Sequence, residues 1–179
     1  MPSKQYTFHR VLAVAPVSRG FGFVVLEGMD KFVDRGVKSA KADKNANCLV
    51  KVEKLMTQYM PGIMVLQDTE RKDSRRAPRI QALTTQLITL GKSRKVRVVL
   101  FSRDKVKRAF FADGQGTKHD IAEILARRFP DQLALELPPE RKDWDSEDPR
   151  MAMFDAVALA LTFWLPKKRG SPGDGIPLG

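Results

Sequence analysis

Residues 11–27, VLAVAPVSRGFGFVVLE, decide the fold. Two short apolar runs, 11–16 and 21–27, flank Ser18-Arg19-Gly20, and runs of this length around a glycine-containing turn predict two antiparallel strands. Residues 31–37 alternate weakly between apolar and polar and extend the pair to a three-strand meander.

Downstream of the meander the period changes. Over 43–60 the apolar positions Ala46, Leu49, Val50, Leu55, Met56 and Tyr59 follow helical spacing, and Pro61-Gly62 supplies a stop. Residues 63–66, IMVL, are continuously apolar, as expected of a strand covered on both faces within a parallel part of a sheet. Pro78 suits the first turn of a helix with Ile80, Leu83, Leu87 and Ile88 on its apolar face, and Gly91 is placed to end it. A strand is predicted at 95–101, then a basic helix capped by Ser102 and running to about Phe111, then a glycine-containing turn at 113–116. Thr117-Lys118-His119-Asp120 has the spacing of a capping box and opens a helix to Arg128, before Pro130. After a charged, proline-containing stretch at 137–146, Asp148-Pro149 reads as the N-cap and first position of a last helix. Strands first, then strands alternating with helices, define an α/β domain. Its mixed sheet joins an antiparallel meander to parallel strands and is flanked by helices. The expectation is one domain over 1–166 and a flexible basic Gly/Pro tail over 167–179.

Composition excludes several classes. With 179 residues, 42% hydrophobic and 30% charged, the chain has ordinary globular composition. One Cys precludes an intramolecular disulfide, and one Cys with two His cannot build a zinc cluster. Cys48 reads as a small buried hydrophobe on a helix. The start, MPSKQYTFHR, is too polar for a signal-peptide core, which predicts a cytoplasmic protein. The most apolar run, 151–165, contains Asp155 and falls short of the roughly 20 residues that span a bilayer, so no membrane partner is expected.

The net charge of +11 is concentrated. Between Glu70 and Arg108 there are 13 basic and three acidic residues, so that segment alone carries +10 and the rest is nearly neutral. Such asymmetry favours a densely anionic partner, because neutralising phosphates releases condensed counterions. A merely solvated basic surface is the alternative.

The last helix, MAMFDAVALALTFWL, is apolar nearly all round and so belongs in the interior, yet Asp155 sits in its middle. A buried carboxylate costs several kcal/mol unless it is paired, hydrogen-bonded, protonated or bound to a metal. It therefore either meets an arginine from another element or reaches a cleft and ligates a divalent cation. Asp68 follows the buried strand 63–66, where ligands collect in open α/β sheets. Asp148 lies seven residues before Asp155, on one helical face with it, and Glu147 is its neighbour. Oxygen donors of this kind suit Mg2+ or Mn2+ and phosphodiester hydrolysis. Asp148 also suits a plain N-cap.

Three blocks resemble one family. Residues 11–28 (VLAVAPVSRGFGFVVLEG) look like the opening hairpin of the RuvC-type Holliday-junction resolvases of the ribonuclease-H-like superfamily. Residues 102–129 (SRDKVKRAFFADGQGTKHDIAEILARRF) are similar to that family's basic helix, glycine-containing loop and Lys-bearing helix. Residues 154–164 (FDAVALALTFW) are similar to its terminal helix, which carries the last catalytic Asp. The blocks are colinear and span most of 10–165.

The resemblance implies that Asp155 matches the last metal-binding Asp. It also implies that Lys107 and Lys118 contact the DNA backbone near the scissile phosphate, with Arg103, Lys105 and Arg108 beside them. Apart from the resemblance, the basic connection offers Arg75, Arg76 and Arg79 as further nucleic-acid contacts, and in an RNA-binding or protein-interaction scaffold the loop 69–79 would be the main contact surface. Where the family has a Glu at the end of the buried strand, this chain has Gln67 and then Asp68, and strand alternation leaves open which faces the cleft. The family's first-strand catalytic Asp is Ala15 here, and the acidic residue three positions before Asp155 is Ala152. The carboxylate set shrinks to Asp68, Asp155 and one of Glu147 and Asp148. Two readings follow. One is a nucleic-acid-binding domain for branched or duplex DNA with weak or absent cleavage. The other is a divergent endonuclease using Mg2+ or Mn2+ on the reduced set. By analogy with symmetric resolvases, the helix 43–60 offers a face for a homodimer.

Overall fold

The computed structural model describes residues 10–69 and 76–165. The expected meander forms from β1 (Arg10–Val17), β2 (Gly20–Glu27) and β3 (Lys31–Ser39), each antiparallel to the one before. β4 (Ile63–Gln67) pairs parallel to β1, and β5 (Arg97–Phe101) parallel to β4, giving a five-stranded sheet of order β3-β2-β1-β4-β5.

Period-two alternation divides the apolar residues between two layers. Val11, Ala13, Ala15, Val24, Leu26, Ile63, Val65 and Phe101 face one way. They pack under α4 (Lys118–Arg128) and α6 (Met151–Trp164). Leu12, Val14, Phe21, Phe23, Val25, Met64 and Leu66 face the other way, towards α1 (Lys44–Tyr59) and α2 (Pro78–Ser93). α3 (Arg103–Phe110), the short α5 (Pro130–Leu133) and a 3-10 turn at Ala134–Glu136 complete the helices. Cys48 is buried in the α1 layer, as expected.

α6 lies across β1, β2 and β4, which explains its all-round apolar sequence. Gly22 permits this. A Cβ at that position would stand 2.0 Å from the backbone carbon of Ala152, so only glycine lets the helix backbone settle on β2. Ala15, opposite Gly22 in the β1–β2 register, is 3% exposed, and Ala152 is 2% exposed.

Several local expectations shift. α6 starts at Met151, not at Asp148-Pro149. Asp148 instead closes the preceding turn, its carboxylate accepting from the Arg150 backbone N–H at 2.9 Å and its carbonyl from Met151. α2 runs past Gly91 to Ser93 because Gly91 packs tightly against the side chains of Val98 and Met64, so it serves close approach within the helix. Trp144 in the connection before α6 is 79% exposed, so it does not anchor that loop in the core. The tail 167–179 lies outside the described residues.

Candidate functional site

A cleft of about 550 Å3 opens beyond the carboxyl ends of β4 and β5, bounded by α3, the start of α4 and the middle of α6. This is where an open α/β sheet places its ligands. Gln67 and Asp68 come from the end of β4, and Ser102, Arg103, Asp104, Val106 and Lys107 from the β5–α3 junction. Lys118 comes from the first residue of α4, and Asp155 from α6. Arg76 enters from the segment before α2.

Two caps fix the helices that reach the cleft. The Ser102 hydroxyl accepts from the Lys105 backbone N–H at 3.1 Å, starting α3 directly after β5. Thr117 and Asp120 form a complete reciprocal capping box, which places Lys118 at the first turn of α4.

Lys118 Nζ lies 3.3 Å from Asp155 Oδ2 and 3.3 Å from Glu147 Oε1, bridging the last helix to the segment before it. Asp155 therefore has a cationic partner, but a lysine where an arginine was expected. Its side chain remains 19% exposed, towards the cleft. Burial pushes the Asp155 carboxyl above the usual carboxylate range, and Glu147 adds to this, while the positive charges of Lys118 and Arg76 pull the other way.

The other acidic candidates disperse. Asp148 is held by its own neighbour, accepting from Arg150 Nε at 3.0 Å and Nη2 at 2.9 Å. These hydrogen bonds hold its carboxyl below the ordinary value. Glu147 and Asp148 are both absent from the cleft lining, whereas Asp68 is part of it. At the strand end both alternatives, Gln67 and Asp68, line the cleft. Gln67 continues the Ile63, Val65 face of β4, towards α6, and Asp68 follows just beyond the strand, its backbone N–H donating to Phe101 at 2.9 Å.

Among the described residues, no three of His, Cys, Asp and Glu come together as a metal-holding group. The chemistry of the cleft's donors agrees: Gln67 offers a neutral carboxamide, Ala15 and Ala152 are packed shut in the core, and Asp155 is already paired. These residues do not fit a two-ion carboxylate centre.

The basic candidates also separate. Arg76, Arg103, Lys107 and Lys118 line the cleft. Arg79 does not. Its guanidinium donates to Asn45 Oδ1 at 2.8 Å and to the carbonyls of Val17 and Ser18 at 2.9 and 3.2 Å, clamping the β1–β2 turn to α1 and α2. Lys105 leans over the Phe101 ring at 5.1 Å, and Lys105 and Arg108 are exposed outside the cleft. Arg75 lies outside the described residues. Asp104 and Ser102 belong to the lining although sequence reading assigned them no binding role. Their position at the first turn after a strand was the available signal.

Sheet order, the crossing of α6 and the position of the cleft define a RuvC-like, ribonuclease-H-like fold. Comparison with solved structures supports this. The RuvC structure from Thermus thermophilus matches with a TM-score of 0.61 and 14% identity over 86% of this chain and 92% of that one. T. thermophilus RuvC in complex with a Holliday junction substrate matches with a TM-score of 0.64 at the same identity and coverage. The yeast mitochondrial Holliday junction resolvase Ydc2 matches with a TM-score of 0.57 and 11% identity, over 90% of this chain and 80% of that one. No family model and no curated protein sequence matches the chain. Among the described residues no helix is long and apolar enough to cross a membrane.

Proposed function

We propose that this domain binds DNA, in branched or duplex form, through the cleft and the exposed face of α3, with weak or absent cleavage. The observation that carries the reading is the convergence of Arg76, Arg103, Lys107 and Lys118 at the carboxyl ends of β4 and β5, in a fold shared with a resolvase solved on its junction substrate. Basic side chains on a cleft edge capture phosphate without reading sequence, so the selectivity expected is for shape. Binding and cleavage assays on four-way junction, duplex and single-stranded DNA, with and without Mn2+, test it. The expected result is a salt-sensitive shift with little cutting. Robust metal-dependent cutting that Asp155→Asn abolishes would instead establish the endonuclease reading.

One observation favours that second reading: Asp68 and Asp155 both line the cleft. It requires a third oxygen donor: neither Glu147, bound to Lys118, nor Asp148, bound to Arg150, is presented there, and among the described residues the third lining carboxylate, Asp104, does not come together with Asp68 and Asp155 as a metal-holding group. A homodimer would use α1 and its C-cap, where Val50 and Met60 are exposed, and sedimentation of the full chain tests it.

A further inference from the structure

Four cationic and three anionic side chains line the cleft, so its attraction for phosphate depends on which cations keep their charge uncompensated. Lys118 is compensated by Asp155 and Glu147. Arg76 is not. Its Nη2 donates to the carboxamide oxygen of Gln67 at 2.9 Å, and its Nη1 is 3.4 Å from the carbonyl of Pro16. Both acceptors are neutral, and these two bonds use two of the five guanidinium donors.

The location is informative. Gln67 is, with Asp68, one of the two strand-end positions where the resolvase resemblance allows a carboxylate, and Pro16 follows Ala15, where it places another. Arg76 thus joins the two strand ends that would share a cation, and it puts a permanent positive charge there. Each change suits the other, since a glutamate at 67 would neutralise the guanidinium and a glutamine leaves it intact. The segment is also anchored from behind, with the Arg76 carbonyl accepting from Gln81 Nε2 at 3.1 Å at the start of α2.

We propose that Arg76 takes the place of a metal ion in this cleft, holding a phosphodiester oxygen through its guanidinium, so that the phosphate contact at this point is lost with Arg76 and is not supplied by a divalent cation. A guanidinium recognises phosphate by charge-assisted, often bidentate hydrogen bonds, which a neutral side chain cannot replace. The inference rests on the DNA-binding reading above but fails separately from it.

The test measures anisotropy of a labelled four-way junction and of the matching duplex with the full chain, in chelator and in millimolar Mn2+ at constant ionic strength. Wild-type affinity should be the same in both, and Arg76→Met should lose about tenfold in both, with its thermal melt recorded to separate loss of fold from loss of contact. Gln67→Glu keeps the shape of the site but pairs the guanidinium, and should lose affinity to a similar degree in chelator. Wild-type affinity that rises about tenfold with Mn2+ overturns the inference, as does wild-type affinity in both variants. In parallel, inorganic phosphate is titrated while the Arg76 side-chain N–H resonance, assigned through Arg76→Lys, is followed by NMR. A phosphate-dependent shift without DNA binding supports the arginine site and overturns the DNA reading. DNA binding that leaves the resonance unmoved by either ligand overturns the arginine site alone.

Discussion

At the scale of single residues, Asp155 is held at a cost. Its carboxyl is raised because burial outweighs the attraction of Lys118 and Arg76. A carboxyl that keeps its proton to higher pH when folded takes up protons on folding, so stability falls as pH rises from the ordinary carboxylate pKa through the raised one. Asp155→Asn removes that dependence and, with Glu147 still paired to Lys118, should stabilise the protein at neutral pH by about 1 kcal/mol, or about 2–4 °C in Tm. Thermal melts of both proteins across acid and neutral pH check this, and the gain should vanish in acid. DNA affinity should rise in the same variant, because a negative charge leaves the cleft. Ala15 is the opposite case. At 3% exposure it is packed into the core, so Ala15→Asp buries a charge and should cost about 3 kcal/mol in urea unfolding without restoring cleavage.

At the scale of elements, the helix–sheet junction is the most constrained feature. Gly22→Ala would drive a methyl group into the Ala152 and Met153 backbone, at 2.0–2.4 Å, where no side chain can rotate away. The expected cost is about 3 kcal/mol, seen as a Tm lower by roughly 6–12 °C. The strands and most helices were legible in sequence because period and punctuation are local. β4 is a continuous apolar run, the Thr117–Asp120 box closes as its spacing requires, and Pro61-Gly62 follows α1. What failed was set by side-chain partners that period and punctuation do not reveal. Arg79 has the composition of a DNA contact, but the free carbonyls of the β1–β2 turn claim it. Asp148 has the sequence of an N-cap, yet Arg150 draws its carboxylate two residues forward and the helix begins later. At Gln67 both the alternation and the neutral amide were readable, but not the arginine it receives, because that contact crosses nine residues of connection.

At the scale of the whole molecule, the net +11 overstates the binding surface. The segment from Glu70 to Arg108 holds nearly all of the excess, but the fold divides it among three tasks. Arg79 braces the hairpin. Arg94 pairs with Glu53 on α1. Arg76, Arg103 and Lys107 face the cleft together with Lys118. Each phosphate neutralised on binding releases counterions, so the slope of log affinity against log salt counts contacts and does not count total charge. Arg103→Ala and Lys107→Ala should each reduce that slope by about 1, nearly uniformly across DNA sequences, with the melting temperature almost unchanged. Arg79→Ala should do the reverse. It lowers the melting temperature, because the Val17 carbonyl and Asn45 Oδ1 lose their donor, and leaves the slope as it was. Measuring affinity of the three variants on one duplex over a salt series separates the assignments. A slope reduced in Arg79→Ala and unchanged in Lys107→Ala would place the DNA on the hairpin side of the sheet and not on the cleft side.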